Sequence, residues 1–540
     1  MILRLNSQNY IAMKISTGLL FTGLTLLVSC KETPAEKSEE PTAKVETTAS
    51  GTAAFEITKE WPMWGHDGTR NMVGNAKGLP VDILPGELDD DTEAALLDES
   101  KNIKWASKLG SQAYGNTVVA GGRVYVGTNN ESPRDEKQQG DRGVLMALDE
   151  KTGEYLWQLV IPKLGAGKVS DWEYVGLCSS PAVEGDRMWL VTNRGEVICL
   201  DVNGMANGND GPFKDEAKYS STDGTPVVID DKSADIIWIY DMRAELGIFP
   251  HNVSSCSPVL VGDMLFTATS NGVDWSHTNI PNEGAPSLVA LDKNSGELVG
   301  EEAAGVSSRV LHASWSSPAH GKIGEKDAIV WGGGDGFVYA FEPTPVPDEE
   351  GFGILKELWR HNCNPIEYRE KDGKPIKYAT YAGPSEVIGT TVIYDGLVYT
   401  MIGQDPEHGD GVGLITCIGA DGKTVWSSKE IGRSISTMSV ADGLVYAAEY
   451  DGDIHCYDAK TGKQYWVHET QSRIWGSTLV ADGKVWLGTE DGELHILKAG
   501  KELEQLALIE FPAPIYSSAM VANNTVYIAT QTHIYAIGKK

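Results

Sequence analysis

The chain has 540 residues, among them 60 glycines, 15 tryptophans and 9 phenylalanines, and a formal net charge of -31. So acidic a chain is a poor partner for nucleic acid, whose phosphates are held by clustered Lys and Arg. The length allows one large or two ordinary domains, and the glycine and tryptophan counts favour turns and strands over helices.

The first elements are not globular. "MKISTGLLFTGLTLLVSC" (13–30) has a basic start, an apolar run and small residues before a cysteine. This is the pattern of a secretory signal, 1–29, with Met13 read as the true start. Its end, "LVSC", resembles the lipobox of bacterial lipoproteins, which implies cleavage before Cys30 and lipid on that cysteine. Residues 30–55 are rich in Glu, Thr, Pro and Ala with no aromatic before Phe55, and read as a flexible tether. Lys31 after the cysteine favours the outer over the inner membrane, so the expectation is an exported chain anchored in the cell envelope.

From 56 to 540 the sequence repeats. A strand, an Asp-Gly type turn, a second strand, another turn and a third strand recur, with Gly443 to Gly483 setting a 40-residue period. That period is the mark of a four-stranded propeller blade. The second-strand turn occurs eight times, beginning near Ala120, Val183, Leu260, Gly324, Tyr394, Ala441, Ala481 and Ala522. Fourth strands carry Trp157, Trp238, Trp359, Trp426 and Trp466, expected to pack between blades. The eighth blade runs out of chain, and "NIKWASKLG" (102–110) places Trp105 where its missing fourth strand belongs. The prediction is an all-β, eight-bladed propeller closed by an N-terminal strand, leaving no open edge. A monomer is expected.

The turn "DxxTGxxxW", as in "LDEKTGEYLW" and "YDAKTGKQYW", with "SSP" strands before it, resembles the PQQ-like β-propeller repeat. The resemblance implies relatives of two kinds. Quinoprotein dehydrogenases hold pyrroloquinoline quinone and Ca2+ on the propeller axis, and BamB-like envelope lipoproteins are non-enzymatic scaffolds.

The first strand of each blade should line the axis, and its Ser, Thr and Gly fit where eight strands converge. The loops before those strands and between second and third strands share one face. They carry His251, Asn252, Arg309, His312, Trp315, Gln404, His408, Arg433, Arg473 and Trp475 as candidate ligand-binding residues. Arginines beside indoles suit a planar anion or the carboxylate-bearing edge of a peptide. "DPEHGD" adds Asp405, Glu407, His408 and Asp410 as weak candidate cation ligands.

Two functions follow. One is a binding or scaffold module for an envelope protein or small ligand; the alternative is a PQQ-dependent oxidoreductase acting on an alcohol or sugar. Against the enzyme stand the lack of an adjacent Cys-Cys pair, of a CxxCH haem motif and of a recognisable catalytic set. The six cysteines after Cys30 read as buried thiols, with disulfides left open. The binding role is preferred.

Overall fold

The computed structural model describes residues 59–406 and 411–539. The signal, Cys30 and the tether therefore lie outside the described residues, as do Glu407, His408 and Asp410.

Eight antiparallel sheets form an eight-bladed β-propeller. Blade 1 is Val118–Ala120, Arg123–Asn129, Arg142–Asp149 and Tyr155–Pro162, each strand paired with the next. Blade 8 takes Met520–Ala522, Thr525–Ala529 and His533–Ile537 from the C-terminal end and Ile103–Lys108 as its outer strand. Trp105 pairs with Ala536 in that strand, as the repeat predicts. Two blades carry additions. The outer strand of blade 3, Leu298–Glu302, pairs in parallel with Gly353–Leu355. The inner strand of blade 7, Leu479–Ala481, pairs in parallel with Val73–Gly74.

The recurring turn has a packing reason. In Asp149–Glu154 the Asp149 carboxylate accepts from the N–H groups of Lys151 and Thr152, an Asx turn, and Gly153 has φ +72°. Trp105 of the preceding blade lies on that glycine: a Cβ at 153 would stand 2.4 Å from its ring. The Trp105 indole N–H donates to the Glu150 carbonyl at 2.9 Å. The same latch repeats with Trp238 on Gly296 and Lys293, and with Trp426 on Gly462 and Ala459. Trp157, Trp359 and Trp466 donate to Val202, Ala420 and Gly500 in the same manner. Six of the turns are thus sockets for the tryptophan of the blade before them.

The inner strands do not pair with one another, so their amides need other partners. One residue per blade provides them around most of the circle. Ser180 N–H donates to Ser257 Oγ and Ser257 N–H to Ser317 Oγ. Thr390, Thr437, Ser477 and Ser518 continue it through Thr437, Ser477, Ser518 and Asn116. The hydroxyls therefore do more than fit a narrow axis; they join neighbouring blades.

Residues 59–77 cross one end of the axis and touch blade after blade. Trp61 bridges Val119, the Pro62 carbonyl accepts from Val183, the Gly68 carbonyl from His320 and the Thr69 carbonyl from Ile393. Asn71 exchanges two hydrogen bonds with Val440, and the Met72 carbonyl accepts from Val480. Arg70, fully buried at the centre, donates to the carbonyls of Trp64, Ser257, Pro258 and Pro318. Burial lowers its pKa to about 10. No helix among the described residues is long and apolar enough to cross a membrane.

Candidate functional site

The other end of the axis is open, and the loops expected to share a face converge there. Its mouth, about 360 Å3, is lined by Tyr114, Trp172, Asn252, Trp315, Asp405 and Trp475, among others. Deeper in, a space of about 190 Å3 narrows past Ser255, Ser257, Ser317 and Ser477 to Trp64. The N-terminal crossing segment thus forms the floor of a funnel.

Aromatic rings build the wall. Tyr114 stacks on Tyr516 with centroids 5.1 Å apart, and Trp475 lies 5.3 Å from both Tyr516 and Tyr450. Glu490 accepts from the Trp475 indole at 2.9 Å, fixing the ring. Trp315 donates toward the carbonyls of His251 and Val253, both at 3.2 Å, and stands edge-on to His312. Among the described residues, the charged side chains lining the mouth are Glu173 and Asp405; Asn252 donates to Asp405 at 3.3 Å. Behind them Glu386 is buried. Burial first, and the Asp405 carboxylate second, push its pKa well above the usual carboxylate range, which favours the neutral acid.

The arginines sit elsewhere. Arg309 turns into blade 4 and donates to Asp335 at 3.1 Å and to the Tyr339 hydroxyl at 2.8 Å. Arg433 is buried with its guanidinium 4.4 Å from the Tyr450 ring centre, and Arg473 lies over the same ring at 5.7 Å. Gln404 donates to the Pro384 carbonyl and supports the loop from below. Of the predicted residues, His251, Asn252, His312, Trp315, Asp405 and Trp475 come together at or beside the mouth. None of the three arginines lines the mouth: Arg309 is held by Asp335 and Tyr339, and Arg433 and Arg473 lie over Tyr450, the ring beside Trp475. Tyr114, Trp172, Tyr516, His277 and Glu386 were not anticipated, although the loop bearing His277 was placed on this face.

Pyrroloquinoline quinone tests the mouth directly. It is a planar ring system with several carboxylates, which need cationic donors. The aromatic wall suits the ring, but the described charges at the mouth are acidic, so the residues do not fit the anion. All six cysteines are free, five of them buried; Cys178 lines the funnel, and burial pushes its thiol up to about 12. There is no adjacent pair and no disulfide among the described residues.

The family model described as outer membrane protein assembly factor BamB matches residues 88–206 and 356–539, more than half of the chain. No curated protein matches significantly in sequence. Among solved structures, a europium-containing methanol dehydrogenase is 13% identical, with TM-score 0.54, covering 87% of this chain and 89% of its own. The quinohemoprotein alcohol dehydrogenase ADHIIG of Pseudomonas putida HK5 is 12% identical, with TM-score 0.55 and coverages of 89% and 81%. BamB from Moraxella catarrhalis is 15% identical, with TM-score 0.48 and coverages of 81% and 97%. These structural likenesses concern the fold alone.

Proposed function

The chain belongs to the family of the outer membrane protein assembly factor BamB, and from that premise we propose that it is a lipid-anchored binding module of the cell envelope. Lipid on Cys30 and the tether would hold the propeller at a membrane, the outer one by the residue after the cysteine. The open funnel is its binding site, and the occupant is a segment of a partner protein. The observation that carries this reading is the chemistry of the mouth: Trp172, Trp315, Trp475 and Tyr114 beside Glu173 and Asp405. Indole and phenol faces take apolar groups and cations, and the carboxylates favour positive charge. A peptide with Lys or Arg beside apolar residues matches that lining; a tricyclic polycarboxylate does not.

A peptide array probed with the purified chain tests this. The expected result is retention of peptides that pair a basic with an apolar residue, lost on Trp475→Ala and Trp172→Ala. Retention of acidic peptides, or equal retention by the variants, would sink it. The quinoprotein reading is tested in parallel by calorimetric titration with pyrroloquinoline quinone and Ca2+, where no micromolar binding is expected.

A further inference from the structure

Three histidines from three loops meet beside the mouth. His251 precedes the inner strand of blade 3, His277 lies in the loop between that blade's second and third strands, and His312 precedes the inner strand of blade 4. Their ring centroids are 4.1 Å (His251–His312), 5.0 Å (His251–His277) and 5.1 Å (His277–His312) apart. One ring nitrogen from each lies within 4.8 Å of the others. Imidazoles around one ion, each at about 2.0–2.1 Å, place their ring centres about 5 Å apart, so small rotations complete the set.

The surroundings prepare this meeting. The His251 Nδ1 is 2.5 Å from the Val273 carbonyl. A carbonyl only accepts, so Nδ1 carries the proton and Nε2 is the nitrogen able to bind a metal, the orienting contact common behind metal-bound histidines. Gly272 lets the loops close: a Cβ there would stand 2.4 Å from the His312 carbonyl and 2.9 Å from the His251 Cβ. The His277 turn is built by Asp274, which accepts from Ser276 N–H at 2.9 Å and from Asn279 at 2.7 Å. Asn252, Ser270 and His277 all have φ between +56° and +58°, backbone that non-glycine residues rarely adopt and that clusters at functional sites. His251 and His312 are buried while His277 is partly open to solvent.

We propose that His251, His277 and His312 bind a divalent transition-metal ion of the Zn2+ class. Imidazole suits Zn2+ and its neighbours in the first transition row, whereas Ca2+ and Mg2+ take oxygen. The two other ligand-bearing groups among the described residues are engaged within the fold: Asp201 by Arg187, and Glu449 by the Gly432 N–H. This inference does not depend on what the funnel binds.

The test uses the full-length chain stripped with a chelator and titrated with Co2+, whose visible absorption reports coordination, and then with Zn2+. The expected result is one Co2+ per chain with the intense bands of low-symmetry coordination, displaced by one equivalent of Zn2+. His277→Ala, on a loop and partly exposed, should weaken Co2+ binding about 100-fold or more, with an unchanged melting temperature. His320→Ala, at a histidine paired with Asp327 on the first hairpin of blade 4, should bind as the parent does. His312→Gln should behave as His277→Ala. Failure to take up Co2+ stoichiometrically, or unchanged uptake by His277→Ala, would overturn the proposal.

Discussion

Replacing Trp105 by alanine tests whether the turn and the tryptophan act as one unit. Trp105 is 5% exposed, lies against Gly153 and Tyr527, and donates to the Glu150 carbonyl. Burial of an indole removes roughly 150–250 Å2 from water, about 4–6 kcal/mol at 25 cal/mol per Å2, and large-to-small core changes at Trp cost about 3–5 kcal/mol after partial collapse. The expected loss is about 4 kcal/mol, read as a fall in urea midpoint at constant m-value. Gly153→Ala sharpens the test. At Gly122, where φ is +74° and nothing stands near a Cβ, alanine should cost only the left-handed backbone term, about 1–2 kcal/mol. At Gly153 the same backbone term is joined by a contact at 2.4 Å with the Trp105 ring, so the cost should be clearly larger. In the Trp105→Ala background it should fall toward the Gly122 value, with only the Ser107 Oγ at 3.0 Å left against the Cβ. Equal costs at 122 and 153 in the parent chain, or additive costs in the double variant, would refute the socket account.

Arg70→Met should destabilise the propeller by at least about 3 kcal/mol, because four buried carbonyls lose a charged donor; denaturant unfolding measures it. Thr437→Val removes the hydroxyl that accepts from Thr390 N–H and should cost about 1–3 kcal/mol, again read by denaturant unfolding. Burial holds His495 and His533 down to about 4, with His468 adding to the effect at His495. Between pH 6.5 and about 4 the unfolded chain takes up protons that the folded chain resists, so stability falls as pH drops through that window. The expected contribution is up to about 3 kcal/mol for each group, and the acid-side loss should shrink in His533→Asn when urea midpoints are compared across the window.

Much of the fold was legible because its signals are local. A 40-residue spacing, Asp-Gly turns and a tryptophan in six of the eight outer strands repeat within short windows, and Trp105 before the first blade marked the closing strand. What the sequence hid is held by distant contacts. Residues 59–77 carry no repeat, and their partners lie more than 400 positions away in the extreme, as Lys59 with Asn523 and Lys77 with Asn524 show. The Ser and Thr of the inner strands read as small residues on a narrow axis, but their hydrogen bonds between blades need the relative height of neighbouring strands. At the candidate site, loop position alone put His251, His312 and Trp475 on the shared face. His277 was passed over because nothing local marks a histidine whose partners are 26 and 35 residues away. The contacts of Arg309 with Asp335 and Tyr339 were not legible, because those residues become its neighbours only once blade 4 folds.

The most direct measurement is photocrosslinking in the native envelope from probes placed at Trp475 and Trp172, at the mouth, and at Leu508, exposed on the outer strand of blade 7. A binding module working through its funnel predicts one discrete protein adduct from both mouth positions and none from Leu508. Adducts from Leu508 alone, or the same adducts from all three, would contradict it.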